Sequence, residues 1–237
     1  MKKMFALALC VGLYNASIAQ VYVQGGGNLA NISNEKSGTA EDNNMLTTFN
    51  AGILGRFNLS TTFDIETGLL LDGRGSKAET YFTSSMDDNY VKTKFNPLYL
   101  EVPLNLIVRL PLDNTINSTT KSNIFFNAGP YAAMGVAGKS KLETKVFGAS
   151  SSSSSDIKFS NDDPFTSEQD DAAYDKLKRF DFGLNVGGGI DLGKILLKVN
   201  YGMGFTKINS TESDNSKDDK NKYRNLSLSI GIPISSR

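Results

Sequence analysis

Apolar and polar residues alternate one by one through long stretches of this chain. In 180–192, Phe180, Phe182, Leu184, Val186, Gly188, Ile190 and Leu192 take one parity, and Asp181, Gly183, Asn185, Gly187, Gly189 and Asp191 the other. A period of two puts these sets on opposite sides of an extended strand. After Gly193-Lys194 the pattern restarts as Ile195, Leu197, Val199, Tyr201, Met203 and Phe205. The same alternation predicts strands over 20–30, 47–58, 61–74, 98–111, 122–137, 178–192, 194–207 and 223–235. The fourth is the cleanest, with Leu98, Leu100, Val102, Leu104, Leu106, Val108 and Leu110 on one face. The first, Val21-Tyr22-Val23-Gln24 followed by Gly25-Gly26-Gly27, carries the weakest pattern.

The connections alternate too. Leu59-Ser60 and Gly193-Lys194 are tight, Leu112–Lys121 is intermediate, and 31–46, 75–97, 138–177 and 208–222 are long. Short turns at one end and long loops at the other mark an outer-membrane barrel, with the turns periplasmic and the loops extracellular. The expected fold is therefore all-β: a closed antiparallel eight-stranded transmembrane β-barrel. An even strand number puts both chain ends on the periplasmic side. The loops hold the serine run Ser150–Ser155, then Asn161-Asp162-Asp163-Pro164 and Asp170-Asp171, and further on Glu212, Asp214, Asp218 and Asp219. These stretches are too polar to bury a core of their own and are expected to be mobile. On this topology Phe57, Phe63 and Phe126 sit near the periplasmic rim, and Phe49, Phe180, Phe182 and Phe205 near the outer rim, as two interfacial girdles.

The first residues fit the same compartment. Met1-Lys2-Lys3, the apolar run Met4–Leu13 and Ser17-Ile18-Ala19 form a basic region, an apolar region and a small-x-small cleavage site. Residues 1–19 are expected to be a removed signal peptide and 20–237 a single barrel domain. Cys10 suggests a lipid anchor, but Leu9 stands where a small residue is wanted. Without the leader the chain has no cysteine, 23 basic and 25 acidic residues. Disulfides are excluded, and nothing marks a basic nucleic-acid surface. There is no histidine, which removes the commonest general base and a frequent metal ligand.

Charges of both signs fall on the inward parity: Arg56, Asp64, Glu66, Asp72, Arg74, Glu101, Arg109, Asp181, Asp191 and Lys198. A barrel of eight strands is only wide enough for side chains to fill it. These residues are then a plug of paired charges. The sharper alternatives are a narrow ion path, or Glu66 and Glu101 as an acid–base pair. Asp214-x-Ser216-x-Asp218 has the alternate oxygens of a calcium loop but lacks its glycine and closing glutamate. Gly187-Gly188-Gly189 is no phosphate loop, since no Lys-Ser pair follows, and its small residues instead leave room for bulky interior neighbours. No catalytic, cofactor-binding or metal residue is assigned.

Asn96-Pro97-Leu98-Tyr99-Leu100-Glu101-Val102-Pro103-Leu104 resembles the characteristic strand of the PorT-like outer-membrane β-barrel proteins. Gly129-Pro130-Tyr131, Asp181-x-Gly183-x-x-x-Gly187-Gly188-Gly189, Tyr201-Gly202 and Lys222–Ser229 are similar to that family as well. The resemblance implies an eight-stranded barrel in a Gram-negative outer membrane. One member is associated with type IX secretion, but no functional residues travel with that role. The ending Ile232-Pro233-Ile234-Ser235-Ser236-Arg237 departs from the terminal aromatic common in such barrels.

The expected role is structural or recognition, without catalysis, in contact with outer-membrane lipid. Envelope or secretion proteins would be met through 31–46, 75–97, 138–177 and 208–222. Two alternatives stand beside it: a soluble periplasmic barrel holding an apolar ligand, with the apolar parity inside, and a narrow pore or secretion accessory.

Overall fold

The computed structural model describes residues 19–33, 45–81, 89–112, 122–146, 149–160, 176–206, 208 and 222–234. The leader and the Asp214–Asp218 stretch lie outside these residues, apart from Ala19, which opens the first strand.

The described strands are β1 (Ala19–Ser33), β2 (Leu46–Asn58), β3 (Phe63–Gly73), β4 (Ser76–Tyr81), β5 (Tyr90–Pro111), β6 (Asn123–Val146), β7 (Ala149–Asp156), β8 (Lys158–Ser160), β9 (Lys176–Lys178), β10 (Phe180–Asp191), β11 (Leu196–Gly204) and β12 (Lys222–Pro233). Eight of them close a ring in the order β5-β3-β2-β1-β12-β11-β10-β6, and β6 pairs back onto β5. Every pairing in the ring is antiparallel. A closed ring leaves no barrel strand with unpaired backbone, which is the condition for spanning a bilayer with strands.

The face parity is the one the alternation predicts. Leu104, Phe126, Phe182 and Leu228 are exposed on the outside, while Asp64, Glu66, Glu101 and Lys198 are buried within. A soluble barrel with its apolar parity inside is thereby overturned: Leu98 and Phe182 face out, and Asp64, Glu101 and Arg109 face in. Outward on β5 the apolar positions run from Leu98 to Leu110. At about 3.4 Å per residue and a tilt near 40°, that run climbs roughly 30 Å, a bilayer's apolar thickness.

The short connections are tight for identifiable reasons. Ser60 Oγ accepts from the amides of Thr62 and Phe63, which squares the β2–β3 turn. Gly193 adopts φ 79°, and Leu192 N–H donates to Ile195 C=O across the β10–β11 hairpin. A residue at positive φ is what such a two-residue turn needs, and glycine takes it without strain.

The long connections differ from expectation. Parts of 75–97 and 138–177 are strands, not loops. β5 and β6 run on beyond the barrel to Tyr90 and Val146, and β4 and β7 flank them, giving a four-stranded sheet in the order β4-β5-β6-β7 at the end away from the short β2–β3 and β10–β11 turns. The serine run Ser150–Ser155 lies on β7, exposed throughout. Serine is a poor strand former by composition, and β7 is held by pairing with β6, a tertiary term that local sequence does not carry. A register shift at Leu98/Tyr99 marks where β5 leaves the barrel wall.

Candidate functional site

Two candidate sites follow from this architecture: the lumen and the four-stranded sheet. The lumen is layered. Near the short-turn end, Ile107, Phe125 and Leu196 form a small apolar cluster. At the outer mouth Tyr99, Tyr131, Ala133, Ile157, Leu177, Ile208 and Tyr223 form a second, against which Ile32, Phe95 and Phe159 pack. Ile157 and Phe159 reach this cap because Ile157 N–H donates to Gly138 C=O, and β8 pairs with β9 in parallel. The alternation alone missed both clusters. Leu54, Ile107, Phe125 and Leu196 sit on the inward parity and break the polar pattern. Ile157, Leu177 and Ile208 fall in stretches too polar to signal burial.

Between the apolar layers lie two charged networks. The lower is centred on Glu66, fully buried. Its carboxylate accepts from Tyr22 Oη, from Arg56 Nε at 3.0 Å, from Asn105 Nδ2 at 3.1 Å and from Lys198 Nζ at 2.5 Å. Arg56 stacks its guanidinium over the Phe125 ring at 4.2 Å. A second pair, Arg109 Nε to Asp64 Oδ2 at 2.8 Å, lies at the short-turn end. The upper network is centred on Arg74, just past the end of β3. Its guanidinium meets Asp72 at 2.8 Å, Glu101 at 2.5 Å and Asp181. The rings of Tyr99, Tyr131 and Tyr223 surround it at 4.8–5.8 Å. Asparagines extend this network: Asn28 and Asn225 donate to Asp72, and Asn185 donates to Glu101 at 2.8 Å.

Charge pairing explains why these groups tolerate burial. An ion inside a low-dielectric lumen must be paired and hydrogen-bonded or it costs several kcal/mol. Glu66 and Glu101 are not brought together as an acid–base pair: each is committed to a different basic partner. A cavity of about 30 Å³ remains among Asp72, Arg74, Glu101, Asn185, Asn200 and Asn225. That is room for roughly two waters.

The triple glycine makes space for the filling. A Cβ on Gly189 would come within 2.7 Å of the Phe125 ring, and one on Gly183 within 2.5 Å of the Tyr131 hydroxyl.

The family model for the outer membrane protein beta-barrel domain matches residues 15–210. The chain belongs to the outer membrane protein beta-barrel domain family. Among solved structures it is similar to Ail, the attachment invasion locus protein of Yersinia pestis, at 15% identity over 90% of this chain and 97% of that chain, TM-score 0.38. It is similar also to Neisserial surface protein A (NspA), at 12% identity over 91% of this chain and 99% of that one, TM-score 0.39. No curated protein matches it. As a member of an outer-membrane barrel family, the chain has its β2–β3 and β10–β11 turns on the periplasmic side and its four-stranded sheet outside.

That sheet is the second candidate site. Tyr81 Oη donates to Glu79 at 2.8 Å, and this bond, helped by Lys92 and Lys77, holds the Glu79 carboxyl below the usual carboxylate range. Lys92 stands over the Tyr90 ring at 4.7 Å. The sheet carries exposed charge and hydroxyls where the barrel below it carries leucine.

Proposed function

We propose that this outer-membrane barrel is a non-catalytic surface protein, sealed to conduction, whose working face is its extracellular sheet and loops. The carrying observation is the lumen: among the described residues, apolar clusters lie at both ends of a charge-paired interior, and the cavity beside Arg74 is about 30 Å³. Such an interior supports neither a conducting path nor a substrate site, and leaves chemistry to the outside. Residues 1–19 act as the leader that exports it. Within the family, the likeness of Asn96–Leu104 to the PorT-like strand supports a place in that branch.

Single-cysteine cross-linking in native membranes tests the reading, because the chain's one cysteine is Cys10, inside the leader. A photo-activatable maleimide at Ser152→Cys on β7 is expected to give adducts with other envelope proteins, and one at Lys194→Cys in the periplasmic turn is not. Adducts from the turn alone would overturn it. Planar-bilayer recordings are expected to be silent, and a steady current would contradict the sealed lumen.

A further inference from the structure

Lipid-facing apolar residues on β5 and β6 give way, on the same face of the same two strands, to lysine. Outward on β5 the sequence Val102, Leu100, Leu98 continues into Asn96, Lys94 and Lys92. On β6, outward Ala132 and Met134 lead past the register shift to Lys139 and Lys141. The sheet's pairing lines these residues up. Lys77 on β4, Lys94 on β5 and Lys141 on β6 are directly opposite one another. In the next rung Glu79, Lys92 and Glu143 are opposite, with Lys77 3.4 Å from Glu79 and Lys141 2.6 Å from Glu143. The other face of the sheet has no charge at the matching positions: Ala78, Thr93 and Leu142 make the rung between these two.

Three lysines in line across neighbouring strands, spaced by about 4.8 Å, repel one another. Glu79 and Glu143 pair with the outer two, and Glu143 also acts on Lys94, but the two rungs hold four lysines against two glutamates, and Lys94 is exposed. Lys94 is four residues above Leu98, which at a tilt near 40° is roughly 10 Å above the apolar edge. Headgroups occupy roughly the first 5–8 Å beyond that edge, and a lysine stem reaches back across the gap. We infer that this lysine rung binds the phosphorylated headgroups of outer-leaflet lipid. The phosphates lie against Lys77, Lys94 and Lys141 and offset their mutual repulsion, while the acyl chains follow Leu98 and Leu100 below. This rests on the outer-membrane placement and on the sheet facing outward.

The test uses the folded chain in neutral detergent, titrated with diphosphorylated lipid A or with phosphatidylcholine, and reads retained lipid by native mass spectrometry. Wild type is expected to retain lipid A, and K77A/K94A/K141A to bind it about a hundredfold more weakly, at roughly fivefold per lysine. Phosphatidylcholine retention should be the same in both. Equal lipid A retention by the triple variant overturns the inference. So does full displacement by millimolar inorganic phosphate, which would make the rung a general anion site. Heat-modifiable gel mobility, read in parallel, reports the barrel itself and separates its failure from failure of the lipid site. Should the triple variant not fold, Lys94→Gln and the salt dependence of wild type decide: retention should fall at least tenfold from about 0.05 to about 0.5 M salt. Salt-independent retention contradicts it.

Discussion

Arg74 folds its guanidinium back onto Asp72, two residues earlier, with Nε 2.8 Å from Oδ2. The same guanidinium serves Glu101 on β5 and Asp181 on β10, so one cation ties three walls of the barrel together. Arg74→Met leaves three carboxylates in the lumen without their counter-charge. The expected loss is about 3–5 kcal/mol, the cost of breaking a buried pair from one side. Guanidinium unfolding in micelles, followed by gel mobility, measures it, and an unchanged midpoint would show that the upper network is not structural.

Glu66 is the mirror case in the lower network, one carboxylate between Arg56 and Lys198. Glu66→Ala should cost about 3–5 kcal/mol, and Glu66→Gln less, since an amide still accepts from Tyr22 and Arg56. Tyr22→Phe removes a hydroxyl that donates to Glu66, and about 1–3 kcal/mol is expected. A Gln variant as damaging as the Ala variant would show that charge, not hydrogen bonding, governs the site.

The charges themselves were legible in the sequence, because a period of two places each on one parity and the structure puts Arg56, Asp64, Glu66, Asp72, Glu101, Arg109, Asp181, Asp191 and Lys198 inside. Their partners were not. Glu66 and Lys198 are 132 residues apart, and which inward residues meet depends on register around the closed ring. The extracellular sheet escaped for another reason. Residues 149–156 have no apolar face, so no alternation announces β7.

The glycines give a sharper contrast. Gly189→Ala would set a methyl 1.9 Å from Leu197 C=O and 2.7 Å from the Phe125 ring, whereas a Cβ on Gly27 meets nothing within 4 Å. Overpacking at Gly189 should cost about 1–3 kcal/mol, and Gly27→Ala should stay within about 0.5 kcal/mol. Parallel unfolding of the two variants checks it, and similar losses would contradict the packing assigned to the triple glycine.

Depth should matter on the outside. Leu104→Arg, in the middle of the outward apolar run of β5, is expected to destabilise the inserted barrel by about 2–4 kcal/mol. Ser152→Arg, on the exposed β7, should change stability by about 0.5 kcal/mol or less. Equal effects in lipid vesicles would mean that Leu104 does not face the bilayer.

Site-directed spin labelling along β5 tests the barrel most directly. Labels at Val102, Leu104 and Leu106 in reconstituted vesicles should be relaxed by oxygen and shielded from a water-soluble nickel chelate, and a label at Lys94 should show the reverse. Nickel access at Leu104, with oxygen access lost, would contradict a lipid-facing wall and with it the transmembrane barrel.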